Sequence, residues 1–324
     1  MSVAQYLRKA SLIVGQNEAS RGAIDLSELC FRFSVKRGDI QTPNTADIRV
    51  YNVSEQTAQA VEREFERVVL QAGYEGGFGI IFDGQIKQVR RGRESQTDTF
   101  IDITCADGDS AYNFSVSAFS LAAGSTPKDA VSEILKDMAE RGISKGFIPD
   151  LPGNPLPRGK IFYGMSKDKM REIAKNTNTS WSIQDGKLQM VPLTTYMPGE
   201  IPVLTGATGV IGLPEQTQNG IRLKVLLNPA IKIGQAVKLD NASIQKFKYS
   251  LSITQEASNL LNEQSNKINN DGLYYVMIAD HTGDTRGNEF YTDLTCLAID
   301  AAVPRELLPQ AAVRGDIGPI KRRG

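Results

Sequence analysis

The chain has 324 residues with 37 basic and 37 acidic side chains, and it is 40% hydrophobic and 23% charged. Such a composition belongs to a folded globular protein and excludes a disordered, collagen-like or disulfide-stapled chain. At about 150 residues per domain the length allows two or three domains with separate cores, and a formal net charge of zero lacks the basic surplus of a nucleic-acid or anionic-membrane binder.

Arg8 and Lys9 precede only a brief apolar run at 11–14, with no small-residue cleavage site after it. No signal peptide is therefore expected, and synthesis is expected in the cytoplasm. Residues 29–36 alternate apolar and polar as a half-buried strand does. Pro43-Asn44 marks a turn, and alternation resumes over 46–53. Ser54 is placed to cap a helix reaching about Arg67, with Ala58, Val61 and Phe65 on one face. Further strands are predicted at 68–74, 79–86 and 99–105. The tract RRGRESQTD at 90–98 is too polar for a core and reads as an exposed hairpin tip.

The pattern changes near Gly124. Thr126-Pro127 is an N-cap with a helix-compatible proline behind it, and Val131, Ile134, Leu135 and Met138 make an amphipathic face that ends at Gly142. Residues 151–159 hold three prolines and two glycines and form an irregular connector. A second helix starts at Ser166 with Met170, Ile173 and Ala174 inward. Trp181-Ser-Ile-Gln, Asp185-Gly186 and Lys187-Leu-Gln-Met-Val then spell a hairpin, since a type I′ turn needs positive φ at both central residues. The last third returns to strands at 221–227, 236–239, 273–280 and 289–299. Between them 245–270 is rich in Asn, Gln and Ser and fits either a hairpin arm or a helix, and from Pro304 the chain reads as a tail.

A short motif occurs twice. TFIDITC at 99–105 and YTDLTC at 291–296 share a core at Asp102, Ile103, Thr104 and Cys105 and at Asp293, Leu294, Thr295 and Cys296. Each copy is the return strand of a hairpin with a polar tip, 90–98 or 281–288, whose outgoing strand follows Gly84 or Gly272. Antiparallel strands favour β-branched residues in any case. A true duplication would instead mean two related β-domains around a different inserted module.

Most reaction chemistry is absent. The single His281 excludes a multi-His metal site and reads as an exposed histidine in a hairpin tip. Cys30, Cys105 and Cys296 are far apart with no CxxC pair and read as small buried hydrophobes. GYEGGFG at 73–79 and GATGVIG at 206–212 lack the helix N-terminus that a phosphate loop needs. Asp107 and Asp109 flank Gly108 as a turn would. Basic residues are scattered and rarely interleaved with aromatics, against a single-strand binding groove. No apolar run approaches the roughly 18 residues of a membrane span. No catalytic, cofactor-binding or metal-ligating residue is singled out, and no cofactor is expected.

PNTADIRVYNVS at 43–54 and VLQAGYEGGFGIIFDG at 69–84, with the helix from Ser166 leading to Trp181-Ser-Ile-Gln-Asp-Gly-Lys-Leu, resemble the baseplate hub proteins of tailed bacteriophages, related to the late-control protein D group. The resemblance implies a mainly β fold with an α/β insertion. Two tail-tube-like β-barrel domains, 1–122 and 199–303, would flank a small α/β module at 123–198, with a C-terminal tail at 304–324. It implies a non-enzymatic homotrimer in the virion baseplate, joining the six-fold tail tube to a three-fold spike or tip protein. DNA would pass through its lumen without specific binding. The two Asp-(Ile/Leu)-Thr-Cys strands would occupy equivalent positions in that ring. A tube-initiator or distal tail protein of the same fold, a tail-associated cell-wall hydrolase and a carbohydrate- or receptor-binding β-protein stand as alternatives.

Overall fold

The computed structural model describes residues 6–16, 22–217, 220–240 and 272–298. The tail at 304–324 and the segment 245–270 lie outside the described residues. The fold is mainly β, with four short α-helices among the described residues.

The first region contains β1 (Arg8–Gly15), β2 (Ala23–Asp25), β3 (Phe31–Gly38), β4 (Thr45–Tyr51), α1 (Glu55–Arg63), β5 (Arg67–Tyr74), β6 (Gly77–Arg93) and β7 (Thr99–Ala106). Strands β3 and β4 bury alternate residues, Phe31, Phe33 and Val35 facing the same core as Ala46, Ile48 and Val50. Ser54 caps α1 by accepting from the Thr57 amide at 3.1 Å, and Ala58 and Val61 lie on its buried face. The helix ends at Arg63, short of the predicted Arg67, because Arg67 is already paired to Gln85 across the sheet. Strand β6 has 17 residues and runs well into the expected tip. Strand β1, too brief in its apolar run to stand out, is held along its whole length by β5.

The middle module follows as α2 (Asp109–Phe114), β8 (Val116–Leu121), α3 (Pro127–Ala139), β9 (Ser144–Lys145), β10 (Lys160–Met165), α4 (Ser166–Asn176), β11 (Thr179–Gln184) and β12 (Lys187–Pro192). Helix α3 begins as predicted. The Thr126 hydroxyl accepts from the Asp129 amide, the Asp129 carboxylate accepts from the Thr126 amide, and Pro127 fills the first turn, where its missing N–H costs nothing. Val131, Ile134 and Met138 of α3 meet Met170, Ile173 and Ala174 of α4 and Trp181, Leu188 and Met190 of the β11–β12 hairpin. The hairpin turns through Asp185 and Gly186 at φ 52° and 70°, the left-handed pair that a type I′ turn requires. Helix α2 and strand β8 were not predicted; they are too short to show a period.

The last region holds β13 (Val203–Leu204), a 3-10 turn at Gly206–Thr208, β14 (Val210–Thr217), β15 (Gly220–Leu226), β16 (Ala236–Leu239), β17 (Leu273–Asp284) and β18 (Phe290–Ala298). Neither glycine-rich stretch precedes an α-helix. One turns β5 into β6, and the other forms the 3-10 turn.

The β-regions do not stand apart. Their strands form one 13-stranded, largely antiparallel sheet, β14-β15-β18-β17-β3-β4-β7-β6-β5-β1-β2, with β16 beside the start of β17 and β13 beside β16. The joint is β17 against β3, from Ile278↔Gly38 to Asp284↔Arg32. No barrel closes among the described residues, where the strands of both regions run on as a single sheet. The reach of β17 explains this, since its first residues pair with β16 and its later ones with β3. The same reach corrects the reading of His281. Strand β17 extends past it, so the residue lies 1% exposed between Val35 and Thr292 rather than in a tip.

Candidate functional site

The predicted motif strands are β7 and β18, and the structure places them in the same frame. In the first region β3 pairs with β4, β4 with β7, β7 with β6 and β6 with β5, all antiparallel. In the last, β14 pairs with β15, β15 with β18, β18 with β17 and β17 with β16, again all antiparallel. Strand order along the chain is also the same. Each motif strand faces a β-bulge at the same step. Ile86 opposes Cys105 and Gln88 opposes Thr104, leaving Lys87 over. Val276 opposes Cys296 and Ile278 opposes Thr295, leaving Met277 over. A bulge bends and twists its strand at a fixed point, so both hairpins turn at the motif's Thr-Cys step.

Side chains around the two aspartates match as well. Arg49 stands opposite Asp102 on β4, donating from Nε at 2.7 Å and from a terminal nitrogen at 3.0 Å, with its guanidinium 4.0 Å from the Phe100 ring centroid. Lys224 stands opposite Asp293 on β15, 3.8 Å from its carboxylate, with its ammonium 5.0 Å from the Tyr291 centroid. A cation is thus held between a carboxylate and an aromatic face in both copies. Cys105 and Cys296 are fully buried, and burial pushes both thiols up, Cys296 to about 12, so neither is a ready thiolate. The motif comparison missed Arg49 and Lys224. The signal was present as Ile48-Arg-Val and Leu223-Lys-Val, at the same distance along the paired strand.

A second constellation fixes the middle module to the sheet. Asp107, at the end of β7 and 1% exposed, accepts from the amides of Asp185 (2.6 Å) and Gly186 (2.8 Å), gripping the β11–β12 turn. Arg37 of β3 donates to the Asp185 carboxylate (2.8 Å), to Gln184 Oε1 (3.2 Å) and to the Ile81 carbonyl (3.0 Å). The Asn44 amide donates to Gln184 Oε1 (2.9 Å) and the Ile183 carbonyl (3.1 Å), and Gln184 donates to the Gly38 carbonyl (2.9 Å). Asp39 accepts from the Ser180 hydroxyl (2.7 Å) and from the Tyr275 hydroxyl of β17. The module is therefore tied to both regions at their joint. Asp109, expected to share a turn with Asp107, instead opens α2 and pairs with Lys87 at 2.9 Å.

These groups do not compose a reaction centre. Burial, with the Asp185 charge adding to it, pushes Asp107 up to about 7, but its oxygens are taken by the turn amides. Burial holds His281 down near 3, so it is neutral, and its Nδ1 lies 2.8 Å from the Thr292 hydroxyl. Among the described residues no group of three or more His, Cys, Asp or Glu side chains could hold a metal ion, and no helix is long and apolar enough to cross a membrane. A groove of about 560 Å³ beside the first bulge is lined by Lys87, Thr104, Cys105 and Asp109, without the paired carboxylates of a hydrolase.

Residues 45–245, more than half of the chain, match the family model described as baseplate hub gp41. The chain belongs to the baseplate hub gp41 family. Comparison with curated protein sequences gives no match. The fold is shared with solved tail proteins at low identity. The 43 kDa tail protein of prophage MuSo2 from Shewanella oneidensis aligns with a TM-score of 0.56 and 10% identity over 91% of this chain and 100% of that one. The tail protein from Neisseria meningitidis MC58 gives 0.56 and 11% over 92% and 100%. The c3393 protein of E. coli, a component of the type VI secretion system with structural similarity to T4 bacteriophage tail proteins gp27 and gp5, gives 0.51 and 12% over 86% and 77%. As a member of the hub family the chain is a component of a phage tail baseplate.

Proposed function

We propose that this baseplate hub protein acts as a ring-forming adaptor. Three copies assemble, and each contributes two like β-units, so that six units face the six-fold tail tube while the ring keeps a true three-fold axis for a spike or tip protein. Tail tube or tube-initiator proteins are the partners on one face. The lumen passes DNA without specific contacts and the role is structural rather than catalytic. The two barrels foreseen for one chain become, on this reading, one barrel shared by all copies. The observation that carries it is the repetition of a five-strand unit with its bulge and its cation–carboxylate–aromatic cluster in a continuous sheet. The domain limits 1–122, 123–198, 199–303 and 304–324 go with the same proposal.

Native mass spectrometry of the purified chain over a range of concentrations tests it. A closed three-chain species of about 106 kDa, from 35.4 kDa per chain, is expected. A six-chain species would replace the hub by a tube-initiator ring, and a chain that stays monomeric at every concentration would overturn the assembly.

A further inference from the structure

The middle module carries a sheet of only two strands, β8 and β10, paired antiparallel from Lys160↔Leu121 to Met165↔Val116. Its inner side is packed, the Phe119 and Phe162 rings stacking at 5.0 Å in the core that α3 and α4 share. Its outer side is bare. Val116 is 52% exposed, Ile161 80% and Tyr163 76%, with Phe114 at 62% just before β8. No outward position of either strand carries a charge. The outer edges are open as well: among the described residues, no main-chain hydrogen bond beyond the ladder itself reaches 117–120 or 161–164. A two-stranded ribbon is marginal in water, and edge strands ordinarily hold a charge, a proline or a bulge that turns other chains away. Residues 161–165, Ile-Phe-Tyr-Gly-Met, hold none of these.

Cations gather around this bare sheet. Lys160 and Lys169 both turn to Glu172, at 2.9 and 3.9 Å. The Lys167 ammonium lies 4.3 Å from the Tyr112 ring centroid, and the Arg141 guanidinium lies 5.9 Å from that of Phe114. Neither pairs with a carboxylate among the described residues, and the neighbouring Asp168 is taken by Arg171 at 3.0 Å. Glu172 is thus the one carboxylate that these four cations meet among the described residues.

We infer that β10 takes up an extended segment of a partner protein by strand addition, and that this segment alternates apolar with acidic residues. Side chains of a strand laid beside β10 fall in step with its own. Those level with Ile161 and Tyr163 lie on the bare outer side and cover it. Those level with Phe162 and Gly164 turn towards α4, where Gly164 has no side chain and the Lys169 stem lies 3.5 Å from where its Cβ would be. Carboxylates there meet Lys169 and Lys160. Main-chain hydrogen bonds to the open edge supply affinity, and the alternation supplies choice of partner. A lipid surface would cover the apolar side chains but leave the edge amides and carbonyls without partners. The inference does not rest on the proposed ring.

Fluorescence anisotropy tests this with the full chain and a labelled synthetic peptide of about ten residues alternating Val and Glu. Saturable binding is expected, about tenfold tighter or more than for a peptide alternating Val and Lys, or for one with its Val and Glu residues in two blocks. Ile161→Ser with Tyr163→Ser, both at exposed positions, is expected to weaken binding about tenfold, and Lys169→Glu to remove the preference for Glu over Lys. A strand uses only one of its edges, so N-methylation of alternate peptide residues gives a backbone test. One methylated set is expected to abolish binding and the other to leave it. Hydrogen exchange of residues 161–164 is expected to slow when the Val-Glu peptide is bound. No binding up to about 1 mM, equal binding of the Lys or block peptide, or binding that survives both methylated sets overturns the inference. Amides of 161–164 already protected in the peptide-free oligomer, but not in the diluted chain, would give the edge to a second copy and overturn it too.

Discussion

The two β-units share pairing, bulge and cation–carboxylate–aromatic cluster, yet their hairpins live in different surroundings. In the second, β3 lies along β17, and His281 is buried beside it in the neutral form. In the first, the matching position on β6 is Arg91, exposed and ion-paired to Glu55 and Glu62 of α1. The bulge residues diverge in the same way, Lys87 pairing with Asp109 and Met277 packing near Tyr275 and Leu297. The strand frame is set by hydrogen bonding and register, which both copies retain. Residue identity follows what lies alongside the frame.

The joint between the units is where the largest effect is expected. Arg37→Ala removes a guanidinium whose side chain is 4% exposed, takes the donor from the Ile81 carbonyl and leaves Asp185 only the Lys232 ammonium at 4.0 Å, for a loss of about 3 kcal/mol in urea unfolding. Arg49→Ala at the first cluster, where the Arg49 side chain is 36% exposed, is expected to cost only about 0.5–1 kcal/mol. Equal losses would mean the joint is no stronger than the surface clusters.

Acid and base responses come next. Folding holds His281 near 3 while the unfolded chain binds its proton from about 6.5 downward, so stability is lost as the pH falls from about 6.5 towards 3. His281→Gln is expected to move the acid-unfolding midpoint to lower pH. Asp107 has the opposite sign. Its folded carboxyl keeps a proton up to about 7 against 3.8 when unfolded, so its contribution declines as the pH rises from about 4 to about 7. Asp107→Asn is expected to flatten that branch of the Tm profile, and to cost about 1–3 kcal/mol by leaving one turn amide poorly paired. A Tm profile unchanged in Asp107→Asn would show that this carboxyl does not titrate in the folded chain over that range.

Smaller effects sharpen the likeness. Outward amides of β6 beyond Gln88 are expected to exchange faster in the monomer than those of β17 beyond Ile278, which lie between two strands. Arg49→Lys, which gives the first cluster the cation of the second, is expected to cost less than about 1 kcal/mol, since it trades a two-bond fork for a point charge.

Much of the local structure was legible. Thr126-Pro127 started α3, Asp185-Gly186 turned its hairpin, and alternation marked β3 and β4, because each signal is carried by neighbours in sequence. The burial of His281 was hidden because it depends on Val35, far away along the chain, and tip-like residues around it masked a strand. Asp107 looked like half of a turn; nothing nearby in sequence announces that it grips the amides of residues 185 and 186. Repetition was visible in four residues of β7 and β18, while Arg49 and Lys224 required the strand pairing to be matched. Whether the sheet would close was not readable at all, since closure depends on which edges find partners.

The β3–β17 joint also has a consequence for how the chain is made. Arg32 and Asp284, which close it with a 2.7 Å ion pair, are 252 positions apart, among the slowest contacts a chain forms. At about 5–20 residues per second, β3 waits more than ten seconds after synthesis before its partner exists. During that interval it is an uncovered edge of the kind that recruits strands from other chains. A product truncated before β17 would keep the β3 edge uncovered for as long as it lasts. Prompt completion of the C-terminal strands therefore protects yield as much as it completes the fold.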